Sequence, residues 1–156
     1  MSDKRQPAPA HAEHAPLQLE HFLPYRLSIV SNTISQLIAD DYQRRYDISM
    51  TEWRVMAVLA RFEGLSAREV AERTAMDKVA VSRALARLVA ADRVNRDTHD
   101  GDKRRSVLSL TESGWTMHDE VAPMARARER EVLARLDAEE QMWLNRILDK
   151  LQAGNM

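Results

Sequence analysis

Lys78, Val79, Ser82, Arg83 and Arg87 are the side chains whose types and spacing most clearly suggest chemistry in this chain. Placed on a helix at about 100° per residue with Val81 at zero, Leu85, Leu88 and Val89 fall within about 80° and form a stripe to be buried. Val79, Ala80, Arg83, Ala86 and Arg87 fall on the opposite side, with Lys78 and Ser82 toward the margin. A face of small residues with two arginines and a serine can lie close to a nucleic-acid duplex. Arginine donates to guanine O6 and N7 or to phosphate, serine to either, and valine or alanine meets a thymine methyl. Taken alone, the same helix also reads as a solvated face with two ordinary arginines.

A second basic group follows. Arg93, Arg96, Lys103, Arg104 and Arg105 surround a tip in which Gly101 permits a tight turn. A thin basic hairpin beside a helix suits a minor groove, where the potential is negative and arginine is favoured. Asp100 and Asp102 offset part of that charge, or aim particular guanidinium groups by bidentate pairing.

The elements that must position these residues are marked by local signals. Leu23, Leu27, Val30, Ile34, Leu37, Ile38 and Tyr42 follow the helical period over five turns, with Pro24 near the start, where a missing N–H is tolerated. Ser49 with Glu52 is a capping box opening a second helix through Trp53, Met56, Leu59 and Ala60, which Gly64 ends. Ser66 with Glu69 opens a short helix to Thr74 that buries Val70 and Ala71. After the turn Ala75–Met76, Asp77 caps the next helix, running to about Ala91. Two short helices joined by a tight turn are the helix-turn-helix layout. Beyond Asp92 the period drops to two, and Val94 on one strand with Val107, Leu108 and Leu110 on a return strand make a hairpin. Thr111 caps a long helix to roughly Arg135, with Pro123 expected to bend it, and Asp137 with Glu140 caps a last helix.

Length and charge agree with this plan. The 156 residues fit one domain, expected as a disordered tail over 1–16 and a folded part over 17–156. Residues 66–105 carry a net charge of +3, between flanks of −1 and −3. A basic middle between acidic flanks points to a polyanion-binding module. The absence of cysteine removes disulfides, thiolate metal sites and thiol nucleophiles or sensors. No apolar run approaches a membrane span and no secretory h-region is evident, so a soluble cytoplasmic protein with no membrane partner is expected. The five histidines show no ligand spacing, and there is no phosphate loop or nucleophile elbow. No metal, no cofactor and no enzymatic activity are therefore expected.

Asp102-Lys103-Arg104-Arg105-Ser106-Val107-Leu108-Ser109-Leu110-Thr111-Glu112-Ser113-Gly114 resembles the D-x-R-x-x-x-L-x-L-T-x-x-G wing signature of the MarR (multiple antibiotic resistance regulator) family. Leu65-Ser66 with Glu69-Val70-Ala71, and Val81-Ser82-Arg83 with Leu85 and Leu88, are similar to that family's helix-turn-helix. Ile48-Ser49 with Glu52-Trp53 is similar to its second helix. The resemblance covers about residues 20–152. It implies a mainly α fold with a small β-hairpin wing: a winged helix-turn-helix DNA-binding lobe (48–111) plus a helical dimerisation lobe (17–47 and 112–156). It also implies a homodimeric repressor of a palindromic operator. On this reading Ser66, Lys78, Val79, Ser82, Arg83 and Arg87 belong to the DNA-binding set. Lys103, Arg104 and Arg105 join them from the wing, Arg104 in the minor groove, with Asp102 holding the wing. The wing tip departs from many members at His99 and Lys103.

The resemblance further implies a cavity for small aromatic or phenolic acids between the dimer helices and the DNA-binding lobe. His21, Tyr25, Arg26 and Trp53 come from the segments that would line it, Arg26 facing a ligand carboxylate. The competing reading places Tyr25 and Trp53 in the core and pairs Arg26 with Glu20. Two function classes follow: a ligand-responsive transcriptional regulator, and a winged-helix assembly or interaction module whose basic face is incidental. The apolar residues of the terminal helices (Leu17, Leu19, Phe22, Leu133, Leu136, Trp143, Leu144, Ile147 and Leu148) exceed what one lobe can cover, as expected of an obligate dimer.

Overall fold

The computed structural model describes residues 15–98 and 106–154. Two compact units divide at Thr33 and Ile34. In the first, a single 3-10 turn (Leu19–His21) precedes the start of α1 (Leu23–Tyr46). Phe22, Leu23, Tyr25, Leu27 and Val30 are all exposed there. The second unit holds the rest of α1, then α2 (Met50–Arg61), α3 (Ala67–Thr74), α4 (Lys78–Ala90), β1 (Val94–Thr98), β2 (Ser106–Leu110), α5 (Glu112–Leu133) and α6 (Ala138–Ala153). The predicted tail over 1–16 falls, except for its last two residues, outside the described residues.

The helix starts stand where the sequence places them. All three capping boxes form, at Ser49/Glu52, Ser66/Glu69 and Asp137/Glu140, each with both reciprocal hydrogen bonds. Asp77 accepts from the backbone N–H groups of Val79 and Ala80, and the Thr111 hydroxyl from that of Gly114. Pro123 lies inside α5 without ending it.

The end of α4 is a Schellman turn. Asp92 takes φ +53°, and Arg93 N–H donates to Leu88 O at 2.8 Å. That turn delivers the chain to β1, which pairs antiparallel with β2 in the register Val94↔Leu110 to Thr98↔Ser106. Leu65 bridges the other edge of β2 at Leu108. One core unites these elements: Val55, Met56 and Leu59 of α2, Val70 and Ala71 of α3, Val81, Leu85 and Leu88 of α4, with Leu65, Val94, Leu108 and Leu110. A second cluster joins Ala39 and Tyr42 of α1, Ile48 and Val121 of α5.

One expected core residue is corrected. Val89 is 38% exposed, and Ala84 is buried in its place. Ala84, Leu85 and Leu88 centre the buried stripe slightly to the Ala84 side of Val81, which leaves Val89 about 90° away, at its margin. Gly114 is buried for a steric reason: a Cβ there would lie 2.1 Å from Arg93 O. The start of α5 can therefore approach the β1 entry only with glycine at this position.

Candidate nucleic-acid interface

The α3–turn–α4 unit presents one face of α4 to solvent. Thr74 closes α3, and Ala75 takes φ +51°, so the chain reverses within three residues before Asp77 caps α4. Val81, Ala84, Leu85 and Leu88 then hold the helix to the core, and Lys78, Val79, Ser82, Arg83, Ala86 and Arg87 are left exposed. Val79 is 56% exposed, an apolar side chain that no core contact requires there. Lys78, Ser82 and Arg83 have no side-chain partner among the described residues. Their donors are free to turn outward beside the positive N-terminal end of α4.

Two residues of the expected set have partners within the fold. The Ser66 hydroxyl donates to Glu69 Oε2 at 2.7 Å within its capping box. Arg87 Nε pairs at 3.2 Å with Oε1 of Glu52, whose side chain is only 4% exposed. The other carboxylate oxygen of Glu52 accepts from Ser49 N–H. A buried carboxylate is costly without partners, so the cap of α2 and a guanidinium of α4 together satisfy it. Arg87 thus ties the exposed face of α4 to α2, while most of its side chain stays in solvent.

In the hairpin, Arg93 donates to the carbonyl of Tyr46 at 3.3 Å and is half-buried, and Arg96 is exposed on β1. Asp102, Lys103, Arg104 and Arg105, with His99, Asp100 and Gly101, lie outside the described residues.

The residues expected to hold a ligand fall in different units. His21 ends the 3-10 turn, and Tyr25 and Arg26 lie in the first turn of α1, all exposed. Arg26 makes no ion pair with Glu20 among the described residues. Trp53 belongs to the second unit, half-buried, 5.9 Å from the ring of Tyr42 and stacked on His118 at 5.7 Å. It borders a cavity of about 140 Å³ lined by Ser35, Ile38, Tyr42, Met50, Trp53, Arg54 and Ala57.

Arg54, beside Trp53, is the cation there, 3.5 Å from the Ser35 hydroxyl, and the sequence reading passed over it. The signal was present, because Met50, Trp53, Arg54 and Ala57 recur at i, i+3, i+4 and i+7 on one helix face. Burial pushes the Tyr42 phenol up to about 12, against the opposing pull of Arg54, so it stays a hydroxyl. Among the described residues no group of three His, Asp or Glu could hold a metal ion, and no helix is long and apolar enough to cross a membrane.

Residues 46–105 match the family model described as MarR family. The HTH-type transcriptional repressor NicR of Pseudomonas putida is 26% identical over 161 residues, covering 97% of this chain and 95% of that repressor. A MarR/EmrR family transcriptional regulator from Acinetobacter sp. ADP1 superposes with a TM-score of 0.79 at 25% identity, over 88% of this chain and 97% of that one. The Mycobacterium tuberculosis MarR family protein Rv2887, solved in complex with salicylic acid, matches at 26% identity with a TM-score of 0.66, over 90% and 99% of the two chains.

Proposed function

We propose that the chain is a transcriptional regulator of the MarR family, to which its comparisons point, and that it acts as a homodimer reading a palindromic operator and releasing it when a small aromatic acid binds. Regulators of this family act by binding DNA and not by catalysis. The observation that carries the reading is the exposed face of α4, where Lys78, Val79, Ser82 and Arg83 stand together without side-chain partners among the described residues. Two such helices related by a two-fold axis address half-sites about one DNA turn apart. The exposed apolar residues of the terminal segments, among them Leu23, Leu27, Ile147 and Leu148, support self-association.

The ligand half of the proposal rests on the cavity beside α2. Its volume, about 140 Å³, suits a single aromatic ring, Arg54 offers a carboxylate partner, and the Tyr42 hydroxyl a donor. A related chain was solved with salicylic acid, which has this chemistry. The cation assigned to the acid is therefore Arg54, with Trp53 retained from the expected set.

The test is titration of wild type and variants against duplexes from the chain's own upstream DNA and a random duplex, across a salt series. Arg83→Ala is expected to weaken operator binding by about 1–3 kcal/mol and random binding little. Arg104→Ala is expected to weaken both and to lower the salt slope by about one. Salicylate is expected to release the operator from wild type and not from Arg54→Ala. Unchanged affinity of both arginine variants for both duplexes, with dimers intact, would replace the operator reading with the assembly-module one.

A further inference from the structure

A second concavity, on a different part of the same unit, has the opposite electrostatic character. It opens between the end of α2, the return strand β2 and the first turns of α5, with a volume of about 490 Å³. That is within the range that accommodates small organic ligands. Its floor is apolar, made by Leu59 and Leu110, both buried in the core. Trp115 forms one wall, with 39% of its surface left in solvent and its indole N–H without an acceptor among the described residues. Glu63 forms the rim opposite in sequence, exposed, its carboxylate paired with no cation among the described residues.

Two guanidinium groups stack on Phe62, the residue before Glu63. Arg61 lies over the Phe62 ring at 5.1 Å and Arg73 at 4.1 Å. Ser109 adds a hydroxyl acceptor, and Gly64, at φ +72°, leaves the entrance bare, since an added Cβ would meet only Val107, at 4.0 Å.

We propose that this groove binds a small amphipathic organic cation, an aromatic or alkyl ammonium. The ammonium sits between the Glu63 carboxylate and the Trp115 ring face, and the apolar body lies on Leu59 and Leu110. An indole is the strongest side-chain partner for a cation, and a carboxylate beside it excludes anions. The site is thus complementary to a ligand class that the Arg54 cavity repels. Ser109 and Leu110 belong to the strand that leads back from the basic segment 99–105. A cation held against them stabilises this placement of β2, and by linkage shifts any equilibrium in which β2 moves.

The probe is benzyltrimethylammonium, titrated into the full chain by calorimetry and followed by the indole N–H resonances of the three tryptophans. The resonance of Trp115 is expected to shift at saturation, and those of Trp53 and Trp143 to stay. Glu63→Gln and Trp115→Leu are each expected to raise Kd about tenfold, and Trp115→Phe only about two- to threefold. Benzyl alcohol should bind at least about tenfold more weakly than the ammonium, and benzoate not at the Trp115 resonance. Salicylate binding should be unchanged in Glu63→Gln. Equal affinity for benzyl alcohol and the ammonium, an unchanged Kd in Glu63→Gln and Trp115→Phe, or a Trp115 resonance that never shifts would each overturn the proposal.

Discussion

The helix-turn-helix lobe and the terminal helices are built from similar apolar residues but end in opposite states. In the lobe Val55, Met56, Val70, Leu85, Leu88 and Leu108 are completely buried. On α6 no residue is buried, and Met142, Trp143, Ile147 and Leu148 face solvent despite a good helical period. What ties α6 to the segment before it is polar: Gln141 donates to the carbonyls of Leu133 and Leu136. Periodicity therefore guarantees a helix with an apolar stripe, while the identity of the covering surface is a separate matter. The lobe covers its stripes within one chain, and α6 leaves its stripe in solvent.

The sharpest way to break this comparison is to truncate one residue of each kind. Leu85→Ala is expected to cost about 2–5 kcal/mol in urea unfolding, at any protein concentration. Ile147→Ser with Leu148→Ser should leave the folded lobe intact and shift the molecule toward a monomer of 17.9 kDa in light scattering. A wild type that already scatters as a monomer at micromolar concentration would mean that the exposed stripe does not mark self-association.

Next in size is Gly114→Ala, at the contact between the lobe and α5. With its Cβ directed at Arg93 O, it should destabilise by about 1–3 kcal/mol. Arg87→Ala tests the tie between α4 and α2. It should cost about 1 kcal/mol by leaving Glu52 without its guanidinium, and Glu52→Gln in the same chain should recover part of that. Arg83→Ala, with no partner to lose among the described residues, should leave the melting temperature unchanged. The contrast separates an arginine that holds α4 to α2 from one that reaches outward.

The smallest effect concerns the junction of α1 and α5. Arg128 donates to both carboxylate oxygens of Asp41, at 2.6 and 3.0 Å, and this hydrogen bonding holds the Asp41 carboxyl below its ordinary range. A depressed carboxyl stabilises the fold above its unfolded-state pKa, and that contribution is lost as pH falls through the folded-state value. Wild type should therefore exceed Arg128→Gln in stability near neutrality, and the difference should fade in acid. A difference independent of pH would assign the loss to packing of the Arg128 stem.

Several features were legible in the residues. Ser49, Ser66, Asp77, Thr111 and Asp137 start their helices where expected, because a cap is a contact between residues two or three apart. The outward face of α4 was legible for the same reason, as a helical wheel is local geometry. The choice between Ala84 and Val89 for the core, the seating of Arg87 on Glu52, the grouping of Arg54 with Tyr42 and Trp53, and the need for glycine at 114 were decided by the tertiary structure. Each depends on which distant backbone arrives against a given side chain. Helical periodicity specifies the direction in which a residue points, and only packing specifies what it meets.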